Sequence, residues 1–299
     1  MPIATSTARH PVRLRWVFFA GVVACAAPAL AEPGTALRAK FESLHAALAH
    51  NPFGRALVLD SVEAAGRLQG DIHAVLNYPI GAVAAALREP AHWCDVLSLH
   101  SNTKFCRANS TSTGQYLRLN VGTKAPQDLA LTFPLDFRFR DLSDTSDTLS
   151  VLLQAASGPL ATSDYRIALE AVSLPGERTF LHLGYSYGYG LPGRVALQTY
   201  LATAGSGKVG FSQIAGAAGG APQLVGGLRG LVERNTMRYY LAIDAVLESA
   251  QAGSRAGFER RLQNWFTATE QYPRQLHEMD WLTYRQMKVA EQARQQGIL

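Results

Sequence analysis

Six consecutive segments of the chain alternate apolar and polar residues, and no helical pattern separates them. They are residues 96–106, 115–124, 129–140, 147–157, 164–173 and 178–189. Turn-forming sequences, among them NSTSTG and SGPLATSD, lie between the segments. Antiparallel strands can be joined by short turns, whereas parallel strands need long crossovers that are usually helical. The pattern therefore predicts an antiparallel sheet and argues against the largely parallel sheet of an α/β-hydrolase.

One of these segments indicates a sheet with an apolar face and a polar face. Its apolar residues are Leu131, Phe133, Leu135, Phe137 and Phe139. Its alternating polar residues are Thr132, Asp136, Arg138 and Arg140. Successive side chains of a strand point to opposite faces, so we expect one face to be buried and the other to be solvated.

The regions on either side of these strands are mainly helical, which makes the fold class α+β. Residues 34–50 repeat apolar positions at helical spacing, and residues 56–77 predict one or two strands with a turn or bulge at Gly66 and Gly70. Two short helices follow, with Pro79 and Pro90 at their starts. Further helices are predicted over residues 192–203, 228–250, 255–272 and 273–296. A glycine-rich segment, residues 205–227, precedes the longest of them.

The first thirty-one residues have the order of a secretory signal peptide. Arginines precede a short apolar run, and the run ends at Ala29-Leu30-Ala31, a small-residue cleavage site. An alternative is lipidation at Cys25, because Val22 to Cys25 resembles a bacterial lipobox. Both routes predict an exported protein of the bacterial periplasm, and the second adds a lipid anchor. Removing residues 1–31 lowers the net charge from +5 to about +2, which offers little support for nucleic-acid binding.

Export also bears on the cysteines. Without Cys25, the chain retains Cys94 and Cys106, an even number in an oxidising compartment. We expect a disulfide between them, and the alternative is two buried free thiols. Two thiols are too few for a zinc site, and the histidines show neither H-x-H nor H-E-x-x-H spacing, so no metal or other cofactor is predicted.

The sequence GYSYG allows two interpretations of Ser186. Read as G-x-S-x-G, it predicts a serine hydrolase with Asp244 and His277 as candidate partners. Read as a strand, it places Tyr185, Tyr187 and Tyr189 on one face and the small residues on the other. Gly188, Gly190 and Pro192 oppose the helix that must follow a nucleophile elbow. The strand interpretation is favoured, with the tyrosines either packed together or lining a ligand cavity.

The helix predicted over residues 228–250 carries one mostly apolar stripe. Its members are Val232, Asn235, Tyr239, Ile243 and Val246. Because a buried amide or phenol needs a partner, Asn235 and Tyr239 should contact either the sheet or a ligand head group. Glu233, Arg234 and Arg238 lie off the stripe and are predicted to be solvated. Residues 277–280, with His277, Glu278 and Asp280, are predicted to lie on an amphipathic helix.

The order of elements resembles the helix-grip fold of the START-like superfamily. ALREPAHWCDVL resembles the helix pair of that family, with Trp93 where an aromatic often seals the cavity floor, and GLRGLVERNTMRYYLAIDAVL resembles its gripping helix. The resemblance implies a curved sheet around a long helix with a hydrophobic tunnel between them. The resemblance covers the predicted helix-grip domain over 55–252. The rest of the chain is predicted to be the signal peptide over 1–31, a helix over 32–54 and a helical extension over 253–299.

The sequence therefore predicts an exported protein that binds or transfers a hydrophobic, lipid-like molecule and is not an enzyme. The expected ligand contacts are Tyr185, Tyr187, Tyr189, Asn235, Tyr239 and Trp93. Association with a membrane would be peripheral or through a lipid anchor. Two alternatives remain, the serine hydrolase and a cell-envelope interaction protein that uses its C-terminal helices as a binding surface.

Overall fold

An eight-stranded antiparallel, curved sheet dominates the computed structural model. The structure describes residues 1–2, 33–143, 145–203, 205–214, 222–250 and 254–297. The chain divides into two units, residues 1–32 and Pro33–Leu299, and only the second is described below. The predicted signal peptide, its cleavage site and Cys25 lie outside the described residues.

The strands follow one another through the sheet with a single rearrangement. They are β1 (Leu57–Ala64), β2 (Arg67–Leu76), β3 (Thr103–Thr111), β4 (Gly114–Val121), β5 (Phe133–Asp141), β6 (Thr148–Gly158), β7 (Thr162–Leu174) and β8 (Arg178–Tyr189). Their order is β1-β2-β8-β7-β6-β5-β4-β3, so the first hairpin pairs with the last strand. A two-residue pair, β9 (Gln213–Ile214) and β10 (Gln223–Leu224), lies apart from this sheet. The antiparallel sheet expected from the sequence is confirmed.

The helices bracket the strands in the expected order. They are α1 (Pro33–Ala49), α2 (Ile80–Leu87), α3 (Pro90–Ser98), α4 (Leu191–Ala202), α5 (Gly227–Ser249), α6 (Ser254–Glu270), α7 (Pro273–Leu276) and α8 (Trp281–Gln295). Helix α5 packs on one face of β1, β2 and β8, which is the inner face of the sheet. Helix α1 packs on the opposite, outer face, where Leu37 and Leu48 meet Val172 and Phe180. Within the described residues, no helix combines the length and apolar character that spanning a bilayer requires.

Three boundaries differ from the sequence prediction. Residues 96–98 are the end of α3, and β3 begins only at Thr103, because the apolar positions there pack as a helix rather than as a strand. In the fifth strand Leu135, Phe137 and Phe139 are buried as expected, but Leu131 is 75% exposed and Phe133 38% exposed. Leu131 precedes β5 and Phe133 begins it, so neither lies over the core.

The last predicted helix is two helices with a break at residues 277–280. Asp280 caps α8, its Oδ1 accepting a hydrogen bond from Thr283 N at 3.0 Å, which begins a new helix rather than continuing α7. His277, Glu278 and Asp280 therefore lie between helices and not on an amphipathic one. Pro273 occupies the first turn of α7, as expected.

The C-terminal helices are tied to the sheet domain by buried hydrogen bonds. Trp265 of α6 donates to Arg238 O at 3.2 Å, and Tyr284 of α8 donates to Leu99 O at 2.8 Å. Lys288 donates to Thr103 O at 2.9 Å and to Glu291 at 2.8 Å. Burial lowers the pKa of Lys288 to about 8, although Glu291 opposes the shift. These helices complete the core and do not form a detached surface.

The expected disulfide is present. Cys94 of α3 and Cys106 of β3 are bonded, with their Cα atoms 5.4 Å apart. The bond joins the last helix before the strand run to its first strand. It fits a protein of an oxidising compartment.

Candidate functional site

An aromatic cluster fills the inner face of the sheet beneath α5. It consists of Phe137, Tyr165, Tyr185, Tyr187 and Tyr239. The rings of Tyr165 and Tyr187 are stacked with centroids 5.2 Å apart, and Tyr185 meets Tyr239 of α5 at 5.1 Å. We refer to these five residues as the aromatic cluster. The alternation of tyrosines with small residues in β8 therefore directs the rings toward the core.

The sheet is incompletely hydrogen-bonded next to this cluster. β5 and β6 pair only through residues 138–141 and 151–154. The first residues of β5 and the last residues of β6 are not paired with each other. We call this unpaired stretch of the sheet the break between β5 and β6. Phe137 and Ala155 border the break from the inside, and the ring of Tyr165 lies where a Cβ at Gly158 would be. The aromatic cluster therefore lies directly behind the break.

Asn235 and Tyr239 have protein contacts on the inner stripe of α5. Asn235 Oδ1 accepts from Arg238 Nη1 at 3.4 Å, and the Tyr239 ring packs on His100 at 4.5 Å. His100 Nε2 is buried and has no hydrogen-bond partner in the described part of the chain. Burial raises the pKa of Tyr185 and Tyr239, so their hydroxyls stay neutral at physiological pH. Burial, together with Arg238 and Lys288, lowers the pKa of His100 well below its ordinary value.

The charged residues of α5 are buried, and the prediction of a solvated helix face is wrong. Glu233, Arg234 and Arg238 are at most 2% exposed. Glu233 accepts backbone hydrogen bonds from Phe211 N at 2.6 Å and Ser212 N at 2.9 Å. The helix is covered on this side by the segment before it and by the C-terminal helices, which periodicity within α5 alone does not reveal.

A basic cluster borders the same interior. Lys124, Lys208, Arg234 and Arg238, which we call the basic cluster, surround the carboxylate of Glu278. Glu278 is hydrogen-bonded to Arg238, and its Oε1 lies 2.6 Å from Lys124 Nζ. Burial alone would raise the pKa of Glu278, but Arg238 and Lys124 hold it below its ordinary value.

Two guanidinium nitrogens of the basic cluster are buried and have no hydrogen-bond partner in the part of the chain that the structure describes. Arg234 donates from Nη1 to Val209 O at 3.2 Å, while its Nη2 is unpaired. Arg238 bonds Glu278 and Leu276 O through Nη2, while its Nε is unpaired. Burial and the neighbouring Arg238 lower the pKa of Arg234 to about 10, so the side chain remains charged at neutral pH.

Ser186, Asp244 and His277 do not form a catalytic triad. Ser186 lies inside β8 on the outer face, where its Oγ accepts from Arg67 Nη2 at 2.7 Å. Asp244 pairs with Arg55 at 2.8 Å, and His277 pairs with Glu270 at 2.9 Å. No hydrogen bond among the described residues joins two of the three. An elbow needs a helix directly after the serine, whereas the strand continues to Tyr189.

The remaining predicted ligand contacts lie at the margins of the interior. Tyr189 is buried, and its hydroxyl donates to Glu63 at 3.1 Å. Trp93 is fully buried in α3, and its Nε1 donates to Leu87 O at 2.7 Å, tying α3 to α2. Whether either contacts a ligand stays a prediction.

The outer face carries a polar row that the sequence analysis did not single out. The stacked rings of His73 and His182 lie beside Asp71 and Glu170 on three neighbouring strands. The described residues nevertheless contain no group of three or more His, Cys, Asp or Glu side chains arranged to hold a metal ion.

A groove of about 510 Å³ opens between α1, the ends of β1 and β2, and the second half of α5. Phe41, Leu48 and Tyr240 supply apolar surface, and the Arg55–Asp244 pair supplies charge. Tyr240, Asp244 and Glu248 line the groove from the C-terminal half of α5, whereas Arg234 lies in the N-terminal half. The volume of the groove falls in the range of small-molecule sites.

Several residues of the interior were missed by sequence reasoning. Tyr165 belongs to the same alternation as Ile167 and Leu169, so its inward direction was readable from the period of the strand. Lys124 and Lys208 come from segments outside the regular elements, and no local pattern links them to α5. Their juxtaposition is a product of the tertiary fold.

The order of the strands and the position of α5 on the inner face are those of a helix-grip fold. No family model and no curated protein matches the chain. Solved structures that are similar to the chain include a STAR-related lipid transfer protein from Xanthomonas axonopodis, with 14% identity and a TM-score of 0.31. That match covers 48% of this chain and 91% of the other.

Two further structures have similar values. The Zhui aromatase/cyclase from Streptomyces sp. R1128 is 14% identical, with a TM-score of 0.31, over 67% of this chain and 94% of that one. Human StAR-related lipid transfer protein 5 is 10% identical, with a TM-score of 0.29, over 80% of this chain and 96% of that one. The fold assignment rests on the strand order and the packing of α5 in this chain.

Proposed function

We propose that this protein is exported and binds a hydrophobic, lipid-like molecule between the inner face of the sheet and α5. The observation that carries the proposal is the aromatic cluster behind the break between β5 and β6. An aromatic surface next to an incompletely paired wall offers an apolar body both a binding face and a route of entry. The proposed contacts are Tyr185, Tyr187, Tyr189, Asn235, Tyr239 and Trp93, to which the fold adds Phe137 and Tyr165.

The energetics favour a ligand with a large apolar part. Burial of apolar surface contributes about 25 cal/mol per Å², so an alkyl or ring body supplies most of the binding energy. The rings of the aromatic cluster contact one another in this structure, so a ligand must part them. Asn235 is hydrogen-bonded to Arg238 and to Tyr185 in this structure, and the tyrosine hydroxyls and the Asn235 amide can exchange such bonds for bonds to the polar end of the ligand.

Two features support export. The first thirty-one residues have the organisation of a signal peptide. The Cys94–Cys106 disulfide is the kind of bond that persists outside the cytosol. We propose a periplasmic location, with Cys25 as the alternative site of a lipid anchor.

The test of binding uses a neutral dye, Nile red, and the purified protein. We expect Nile red fluorescence to rise on binding, and Tyr185→Leu to weaken the affinity about fivefold or more because an aromatic wall is lost. Native mass spectrometry of gently purified protein should also detect a co-purified lipid.

The matched control is Tyr116→Leu, a substitution in β4 on the outer face of the same sheet. It should leave the Nile red affinity unchanged. Equal weakening by both substitutions, or no dye binding by folded wild-type protein, would overturn the proposal.

A further inference from the structure

We propose that the basic cluster is a binding site for an oxyanion, the carboxylate or phosphate head group of the hydrophobic ligand. The inference rests on the proposed function, because it assigns the polar end of that same ligand. It adds a charge and a location that the aromatic cluster alone does not specify.

The first argument is the imbalance of charge. The charges of Lys124, Arg234 and Arg238 all act on Lys208, and the charge of Arg238 acts on Arg234. Glu278 is the carboxylate that acts on Lys208, Arg234 and Arg238, so four cations share one close anion. Burial is the main cause of the lowered pKa of Arg234, Arg238 and Lys208, and mutual repulsion adds to it for Arg234 and Lys208. A second anion would relieve that repulsion.

The second argument is the set of unpaired donors. Arg234 Nη2 and Arg238 Nε are buried and have no partner among the described residues. Both belong to residues no more than 2% exposed, so bulk water does not solvate them. A buried charged donor without an acceptor is costly, and structures rarely retain one without a reason. An oxyanion accepts several hydrogen bonds at once and would satisfy both arginines.

The third argument is position. Arg234 and Arg238 are one helical turn apart on α5, and Asn235 and Tyr239 lie beside them on the inner stripe. The charge of Arg234 also acts on Tyr187, a member of the aromatic cluster. An amphipathic molecule with its apolar body on the aromatic cluster would therefore bring its head toward these arginines.

Glu278 has the role of an internal competitor in this proposal. Its carboxylate already occupies Arg238 and Lys124 and presents the same chemistry as a fatty-acid head group. It lies in the break between α7 and α8, where the backbone is not restrained by a helix. A ligand oxyanion therefore has to share these donors with Glu278 or displace it.

The guanidinium groups suit this task better than ammonium groups would. A guanidinium is planar and bonds carboxylate or phosphate through two parallel N–H donors. It also remains charged when buried. Lys208 and Lys124 are more accessible and add long-range attraction.

The experiment compares three ligands with one alkyl chain: decyl phosphate, decanoate and the uncharged decanol. Isothermal titration calorimetry with the full chain gives their affinities. We expect decyl phosphate and decanoate to bind about tenfold more tightly than decanol. Arg234→Gln should remove most of that difference, because it removes a buried donor, and Lys208→Met should remove part of it, because it removes long-range attraction. Both variants should leave decanol binding unchanged.

Glu278→Gln should change the affinity for decyl phosphate in the opposite direction. It removes the competing charge with little change of shape, so the affinity for decyl phosphate should rise about fivefold while that for decanol stays constant. Arg118→Gln is the matched control, because Arg118 is an exposed arginine on the outer face that pairs with Asp136. It should change neither affinity.

The outcomes separate the two proposals. Equal binding of decanol and decyl phosphate, with no response to Arg234→Gln or Lys208→Met in folded protein, overturns the oxyanion site and leaves hydrophobic binding intact. Failure of all three ligands to bind overturns both. A phosphate preference that persists in both variants shows that the head group binds elsewhere and also overturns the assignment.

Discussion

The imidazole ring of His182 lies on that of His73, with centroids 4.5 Å apart and planes 10° apart. The pKa values of the two rings shift in opposite directions. Burial opposes protonation of His182, but Asp71 at 2.9 Å and Glu170 at 3.4 Å raise its pKa to about 9. Burial and the charge of His182 lower the pKa of His73 to about 4, and Lys40 adds to the effect. At neutral pH a charged ring is therefore stacked on a neutral one.

This pair predicts a stability that depends on pH in two windows. Because the folded pKa of His182 is raised, its contribution is complete below its unfolded value of about 6.5 and is lost as the pH rises through about 9. The size of that contribution is on the order of 3 kcal/mol. Because the folded pKa of His73 is lowered, stability also falls as the pH drops from about 6.5 toward about 4.

Urea unfolding across this range provides the measurement. His182→Gln should remove the alkaline loss and His73→Gln the acidic loss attributable to that ring. The two unfolding free energies, of wild type and of His182→Gln, are compared at each pH. If their difference is the same at neutral and at alkaline pH, the assignment is contradicted.

Gly70 lets α5 approach the sheet closely. It lies in β2 opposite Tyr185, and a Cβ there would overlap Thr236 Oγ1 and lie 3.3 Å from Thr236 Cβ. We expect Gly70→Ala to lower the unfolding free energy by about 2 kcal/mol, since α5 or β2 must move. Gly81→Ala in α2, where a Cβ meets no atom within 4 Å, is the control and should be neutral or stabilising. Similar melting temperatures for wild type and Gly70→Ala would contradict a close contact between Gly70 and Thr236.

Ser186→Ala should leave any ester hydrolysis unchanged. The hydroxyl accepts from Arg67 and has no histidine partner among the described residues, so no base activates it. Hydrolysis of a nitrophenyl butyrate by wild type and variant gives the comparison. The stability cost should be below about 1 kcal/mol, because one partly buried hydrogen bond is lost. A variant that loses most of the wild-type turnover would restore the hydrolase interpretation.

Reduction of the disulfide should destabilise the fold. Cys94 and Cys106 are 12 residues apart in sequence, and a loop of this size contributes roughly 3 kcal/mol to stability. Thermal melting with and without a thiol reductant measures the effect. The double variant Cys94→Ser, Cys106→Ser should melt at the lower temperature in both conditions. Superimposable wild-type curves would mean that the bond adds no stability.

The strands and the helix order could be predicted from the sequence because they depend on local periodicity. The alternation around Tyr185 is enough to predict a strand, and the proline at position 273 is enough to predict the start of a helix. The burial of Glu233 and Arg238 could not be predicted in this way. Their partners, Phe211 and Glu278, are distant in sequence, and a charged helix face looks the same whether water or another segment covers it.

The break at residues 277–280 shows the same limit. An amphipathic pattern ran through it without interruption, while the cap supplied by Asp280 decided where α8 begins. The prediction of a turn or bulge at Gly70 is wrong, because the glycine there serves the close approach of α5 to the sheet. Gly66 is the turn residue, with a φ of +72°, and Gly70 continues β2.

The bonds from α8 to the loop after α3 have a consequence for biosynthesis. Tyr284 reaches Leu99 O across 185 residues, and Lys288 reaches His100 O across 188. Contacts of such long range form late, since the intervening chain must first be ordered. While the ribosome is still producing α8, the carbonyl groups of that loop lack these donors. The polypeptide can therefore close this part of its core only after α8 has emerged, and until then the loop remains open to proteases and chaperones.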